Sequence, residues 1–272
     1  MNIRCWNVQG ISTKTETLPI ELKRYGMDIV VLSETKRKGR GEEILEDYLH
    51  LWSGVEKHHR AKAGVSIMIH RKLKNKITGW ECQNERLMMV NMKLFGRELT
   101  VIGLYAPTND MPNEIKEVFW NQLSDLIEKI PKRREVLILG DLNARVGREE
   151  RKYVMGKFGE EERNDNGDRL IQLCEEQRLQ ITNTFFQHRM IHKFTWRQET
   201  RQLKSIIDYM VIRQNSTIKV MDIRVFRGAE CGSDHFLLKS RCMWPWIQRK
   251  TFSVRGRNNT QCWSSTAGGS TT

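Results

Sequence analysis

The sequence of 272 residues has no apolar run near the roughly 18–20 residues a bilayer-spanning helix requires. Nor does a signal-peptide pattern precede the first strand-like segment, so neither secretion nor membrane anchoring is expected. Cysteine is sparse: Cys5, Cys82, Cys174, Cys231, Cys242 and Cys262, with no Cys-x-x-Cys pair. In a chain this long, with most of them inside apolar stretches, these are predicted to be reduced thiols rather than disulfides or zinc ligands. A nuclear or cytoplasmic address is the corresponding expectation. Acid is the scarcer charge, 33 Asp and Glu against 46 Lys and Arg, for a formal charge of +13. That excess suggests an anionic partner, most simply nucleic acid, although composition alone is equally consistent with a solvated basic surface. With 39% hydrophobic and 8% aromatic residues the chain is not a disordered one, and it is long enough to bury a substantial core.

Strands and helices alternate along the body. Residues 2–8 (NIRCWNV) read as a strand, 18–25 as a helix with Pro19 tolerable in its first turn, and 28–33 (DIVVLS) as a strand covered on both faces. Helical spacing is read over 41–49 (GEEILEDYL), and strands over 64–70, 86–94 and 98–105, the last two joined by a turn at 95–97. Residues 114–130 carry Ile115, Val118, Phe119, Leu123, Leu126, Ile127 and Ile130 at helical intervals, predicting one core-facing side. A strand at 135–140, a helix at 168–178 and strands at 179–183, 205–212 and 221–226 follow. This order favours a large α/β sandwich over a helical bundle or a pure barrel. The folded domain is expected to span residues 1–242. After Met243 periodicity and acids vanish, and 243–272 is expected to be a disordered tail.

Several polar residues stand where a core explanation fails. Asn7, Glu34, Tyr105, Asp141 and Asn143 close or follow apolar strands. Asp208 sits inside IIDYMVI, and Ser233-Asp234-His235 introduces FLL. Carboxylates are rarely held in such places without a partner, so several together suggest a shared cation or a polar cleft where strand ends converge. Carboxylate and amide oxygens with one histidine and no cysteine suit Mg²⁺, or Mn²⁺, better than zinc. On a basic protein, such a site points to phosphoester hydrolysis.

The motifs WNVQG (6–10), SET (33–35), YAPTN (105–109), GDLN (140–143), SIID (205–208) and SDH (233–235) are weak singly. In this order over residues 1–242 the chain resembles the exonuclease–endonuclease–phosphatase superfamily. The texture around the motifs (LKRYGMDIVVLSETK, VIGLYAPTND, VLILGDLNARVG) is most similar to RTE-type LINE retrotransposon endonucleases and the related craniofacial development protein 2 group. The resemblance implies a four-layer α/β sandwich, two mixed β-sheets flanked by helices, and Mg²⁺-dependent hydrolysis of a DNA phosphodiester by a monomer without an organic cofactor. It also implies that the chain is a truncated or stand-alone endonuclease, since 243–272 leaves no room for a polymerase domain. A non-catalytic DNA- or protein-binding derivative and a phosphatase of the same superfamily are the alternatives.

By the same resemblance Glu34 is the principal metal ligand, the plain alternative being a strand-end Glu paired with Lys36. Asp234 completes the metal site or holds a second water. Gln9 stands where many apurinic endonucleases carry an acid, so it can offer an oxygen but no charge. Asp141 activates or orients the attacking water, with Asn143 and Asn7 holding it and a phosphate oxygen in line. Asp208 orients His235, whose imidazolium binds the scissile phosphate. Tyr105 gives a hydrogen bond to the phosphate, as does either Thr108 or Asn109. A hairpin at 195–205, carrying Thr195, Arg197, Arg201 and Lys204, is expected to contact DNA beside the site. The basic loop of Lys57, His58, His59, Arg60 and Lys62 could track the backbone or remain simply solvated.

Overall fold

The structure, a computed structural model, describes residues 1–244. It begins with β1 (Asn2–Asn7), α1 (Thr17–Arg24), β2 (Ile29–Ser33), the hairpin β3 (Arg40–Leu45) and β4 (Tyr48–Ser53), and β5 (Val65–His70). The meander β6 (Ile77–Asn84), β7 (Leu87–Leu94) and β8 (Arg97–Tyr105) leads into α2 (Asn113–Glu128) and β9 (Glu135–Asp141). Then come α3 (Asp165–Glu176), β10 (Leu179–Ile181), the small hairpin β11 (Trp196–Gln198) and β12 (Leu203–Ser205), β13 (Asp208–Arg213), β14 (Lys219–Phe226) and β15 (Leu237–Met243).

Two mixed sheets stack face to face, ordered β14-β15-β1-β2-β5-β4-β3 and β10-β13-β9-β8-β7-β6. The parallel pairs are β1–β2 and β8–β9. Between the sheets lies a core of Ile3, Val31 and Ile67 against Val90, Leu137 and Met210. Leu18 and Leu22 of α1 cover the outer face of the first sheet, and Phe119 and Leu123 of α2 with Leu170 of α3 cover that of the second. The result is the expected four-layer α/β sandwich.

Residues 41–49 do not form the expected helix. They form most of β3 and the start of β4, paired Leu45↔Tyr48 across a tight turn in which Glu46 has φ +52°. An edge strand buries only one side, so its alternating exposed and half-buried residues leave too few apolar positions to separate period 2 from period 3.6. The β6 strand was not anticipated at all, for the same reason. In α2, Ile115 and Val118 are exposed at 46% and 56%, and Trp120 takes the buried place instead. The third helix starts earlier than expected because Asn164 caps it, its side chain accepting from Gly167 N. Cys5, Cys174 and Cys242 are buried free thiols, and Cys82 and Cys231 are half-buried and free. Cys262 and all but the first two residues of the expected tail lie outside the described residues. Of those two, Met243 ends β15 and Trp244 is buried against the inter-sheet core.

The loop after β2 is tied to the β3–β4 hairpin by a half-buried cluster around buried His50. Arg37 grips Glu43 with two nitrogens and stacks 3.5 Å over the Trp52 ring, while the Nδ1 of buried His50 lies 3.0 Å from Glu43. Burial pushes the His50 imidazole down to about 4, overriding the pull of Glu43. At pH 7 it is therefore a neutral ring donating to a carboxylate. The unfolded chain takes up this proton near its ordinary 6.5, so between those values the unfolded state binds more protons and stability falls as the pH is lowered from 6.5 towards 4. His50→Asn is expected to flatten that slope in urea titrations between pH 6.5 and 4.5. An unchanged slope would mean that His50 is not held neutral by the fold.

Candidate active site

Strand polarity gathers the site. The parallel registers Asn7↔Ser33 and Tyr105↔Asp141 bring the C-terminal ends of β1, β2, β8 and β9 to one edge. Antiparallel β13 places Asp208 opposite Asp141, and antiparallel β15 returns beside β1, which carries His235 to the same edge. Gly140 lets Asp141 reach it: with φ +146°, any Cβ there would stand 2.0 Å from the Leu104 carbonyl oxygen. Gln9, Glu34, Lys36 and Asn143, all non-glycine, hold φ near +50° around this rim. Such costly conformations persist where the surroundings over-determine them, and they recur at functional sites.

A cleft of about 410 Å³ opens there, lined by Asn7, Gln9, Glu34, Tyr105, Thr108, Asn109, Asp141, Asn143, Asp234 and His235 among others. Asn7 Nδ2 bridges two carboxylates, donating to Glu34 at 3.1 Å and Asp141 at 2.9 Å. Tyr105 donates its hydroxyl to Glu34 at 3.3 Å, and Lys36 pairs with the other Glu34 oxygen at 3.0 Å. The Lys36 contact and the convergence on the cleft thus exist together. Asp208 lies behind His235, its Oδ2 2.9 Å from Nδ1, which leaves Nε2 facing Asp141 and Asp234 at 3.8 Å each. The loop bearing His235 is fixed by Trp6, which donates to its carbonyl, and by Ser233, which donates to the Asn7 carbonyl and accepts from His235 N.

Burial raises the Asp141 carboxyl, and the neighbouring Asp208 charge raises it further, with His235 and Asn7 opposing. For His235 burial disfavours the cation, but Asp208, Asp141 and Asp234 outweigh it and lift the imidazole to about 9. Burial, with the charges of Asp141 and Glu34, keeps the Tyr105 phenol protonated and a donor. The cluster can therefore present an imidazolium and a proton-accepting carboxylate side by side at neutral pH.

Asp141, Asp208 and His235 place ligand atoms within 4.8 Å of one another, as do Glu56, His58 and His59 in the exposed basic loop. An imidazolium at 235 repels a cation, so the oxygen side of the cleft is the better seat. Glu34 reaches into it; the buried Oδ1 of Asp234 has no hydrogen-bond partner and lies 3.8 Å from His235 Nε2, so its charge is shared with the imidazolium, while Oδ2 accepts from Trp196 Nε1 at 2.9 Å. All-oxygen donors beside an orphaned carboxylate oxygen fit a hard divalent ion.

A profile of the Endonuclease/Exonuclease/phosphatase family matches residues 5–235. The chain belongs to this family. Members of this family are hydrolases that generally use a divalent metal. The chain is similar to craniofacial development protein 2 of Bos taurus, 35% identical over 237 residues, covering 87% of this chain and 40% of that protein. It thus spans less than half the length of that relative. Among solved structures, the 3′ phosphatase NExo from Neisseria bound to a product DNA hairpin superposes with TM-score 0.64 at 17% identity, over 90% of this chain and all of that one. The endonuclease domain of TRAS1, a telomere-specific non-LTR retrotransposon, gives 0.61 at 18% identity, over 90% and 98%. At these identities the likeness is one of fold.

Four of the expected contact residues, all on the hairpin, do not line the cleft. Thr195 is fully buried, its hydroxyl accepting from Ile207 N and Asp208 N, so it holds the Asp208 strand from behind the cleft. Arg197 and Lys204 line a groove on the far flank of the hairpin, and Arg201 sits exposed near its tip. Conversely, Trp196, Arg145 and Asn164 line the cleft and were not singled out. Asn166 was missed too. Buried, it accepts from Trp120 and donates to the carbonyls of Pro107 and Asn143, fixing both rim loops from behind. An Asn in the first turn of a helix carries no signal of its own, so only the fold exposes this task.

Proposed function

We propose that the chain is a Mg²⁺-dependent DNA endonuclease of the LINE retrotransposon type. It hydrolyses one phosphodiester and leaves 3′-hydroxyl and 5′-phosphate ends. It acts as a monomer without an organic cofactor, in the nucleus where its substrate lies. The observation carrying this reading is the juxtaposition of Asp208-held His235 with Asp141, itself linked through Asn7 to Glu34. Asp141 takes the proton of the attacking water, and Asn7 and Asn143 hold that water and a phosphate oxygen in line. His235 and Tyr105 donate to phosphate oxygens as charge develops, and Thr108 or Asn109 adds a further contact. Mg²⁺, or Mn²⁺, held by Glu34 with Asp234 and Gln9, would neutralise phosphate charge and stabilise the leaving 3′ oxygen. DNA as substrate is supported by the +13 charge and by the nucleic-acid relatives of the fold. The deciding experiment incubates the purified chain with supercoiled plasmid and Mg²⁺. Open circles with ligatable ends are expected. Absence of nicking would favour a non-catalytic binding module, and phosphate release from inositol phosphates without nicking would favour a phosphatase.

Gln9 gives this reading a quantitative consequence. Its amide adds no charge, so Gln9→Asp is expected to lower the Mg²⁺ concentration for half-maximal nicking by roughly tenfold, equivalent to about 1.4 kcal/mol. The same variant should show greater stabilisation by Mg²⁺ in thermal unfolding. Unchanged values in both would remove residue 9 from the metal site.

A further inference from the structure

The hairpin bordering the cleft has a second flank. Its register pairs Trp196 with Ser205, Arg197 with Lys204 and Gln198 with Leu203. Successive side chains on a strand point to opposite faces, so Trp196 and Ser205 meet the cleft while Arg197 and Lys204 turn away from it. On that far side lies a groove of about 230 Å³, closed by the 190–194 turn and Phe236. Its walls include half-buried Phe194 and Phe236, and Met190, Ile191 and Leu203 stand 54%, 52% and 45% exposed.

Three cations line this apolar groove and no acid does. Lys204 Nζ lies 4.9 Å from the Phe194 ring centre, and the Arg227 guanidinium lies 4.5 Å from that of Phe236. Arg197 pairs with Glu199 at 2.7 Å; among the described residues Lys204 and Arg227 make no ion pair. Aromatic rings beside cations that pair with no acid, here Lys204 and Arg227, are what an unpaired nucleic-acid strand needs: π-surfaces for its bases and positive charge for its phosphates. The cation over each ring turns to a phosphate as a base takes the ring face. The volume is below the roughly 300–1,000 Å³ of pockets for drug-sized ligands, so it suits one planar base and not a duplex.

We propose that this groove binds one unstacked base of a single-stranded DNA segment adjoining the bond to be cut. The base stacks on Phe194 or Phe236, and the neighbouring phosphates meet Arg197, Lys204 and Arg227. Groove and cleft share their backbone: Phe236 follows His235 and donates its N–H to Thr195 at 2.7 Å, and Arg197 N donates to the Asp234 carbonyl at 3.1 Å. A strand leaving the cleft therefore has only the short hairpin to pass. The inference rests on the endonuclease reading and refines it: the preferred substrate is DNA with an unpaired stretch, such as a bubble or an overhang, beside the nick.

The test is fluorescence anisotropy in EDTA, where cleavage does not intervene, with the full chain and labelled oligothymidylate of about 12 nucleotides, within the single-strand site sizes usual for stacking grooves. A blunt duplex of equal length serves as the second probe. Phe194→Leu keeps apolar bulk and removes the aromatic face, and Arg227→Gln removes an exposed cation. Each is expected to weaken single-strand binding by roughly tenfold and duplex binding by less than about twofold. Equal losses on both DNAs, or none on the single strand, would overturn the proposal. So would displacement of the oligonucleotide by polyphosphate as readily as by unlabelled oligothymidylate, which would reduce the groove to a general anion patch. Wild type that binds the single strand this way yet never nicks plasmid in Mg²⁺ would sink the endonuclease reading instead.

Discussion

Asp141→Asn is expected to slow plasmid nicking in Mg²⁺ by roughly 10²–10⁴-fold, the usual contribution of a general base, with little change in stability. The two expectations share one cause. Asp141 is buried opposite Asp208, and burial together with that second charge raises its carboxyl above the ordinary range. A carboxylate whose folded pKa is raised costs stability once the pH exceeds its unfolded value, and the cost grows until the folded value is passed. At neutral pH the isosteric amide removes that cost, but its single oxygen can accept from only one of Asn7 Nδ2 and Asn143 N, which meet different oxygens of the carboxylate. With the two effects opposed, the melting temperature should stay within a few degrees of wild type. Activity surviving in Asp141→Asn, or a marked fall in melting temperature, would contradict the role given to this side chain.

His235→Ala should cost roughly 10²–10³-fold in rate, the scale for removing one preorganised donor to a developing oxyanion. It should also destabilise the fold by about 3–5 kcal/mol, because it leaves Asp208 buried without its cation. Asp208 has its other oxygen, Oδ1, already buried and unpartnered, so nothing nearby compensates. The double variant Asp208→Asn/His235→Ala separates the two effects. It should recover much of the lost stability, since the unpaired charge is gone, yet nick no faster than His235→Ala alone. Additive rate losses from Asp208→Asn and His235→Ala would show that Asp208 acts independently of the imidazole.

How much of this was legible beforehand depended on burial. Strands covered on both faces, such as β2 and β9, announced themselves as continuous apolar runs, and the polar residues at their ends could only be explained by a site. The β3–β4 hairpin lies at a sheet edge, where half the side chains meet water and the period is ambiguous; there the helix reading failed. In α2 the period was legible but its phase was not, because packing on the second sheet selected Trp120 and left Val118 in solvent.

The same division runs through the site. Asn7, Glu34, Asp141, Asp208 and His235 could be named from the chain because each breaks an apolar pattern at a place where an uncompensated polar group is costly. Thr195 could not be assigned correctly, since whether a threonine hydroxyl meets a ligand or the backbone depends on what folds over it. Arg197 and Lys204 could be placed on a hairpin beside the site but not on one of its flanks, because strand alternation assigns faces only once the register and the neighbouring sheet are known.

Sequence alone settled the identity and order of the chemical groups, since composition and local pattern are properties of the chain itself. The tertiary structure decided their company. Strand direction and register, which depend on contacts between segments more than a hundred residues apart, set a shared amide between two carboxylates, a charged ring between three, and a basic aromatic groove one hairpin away.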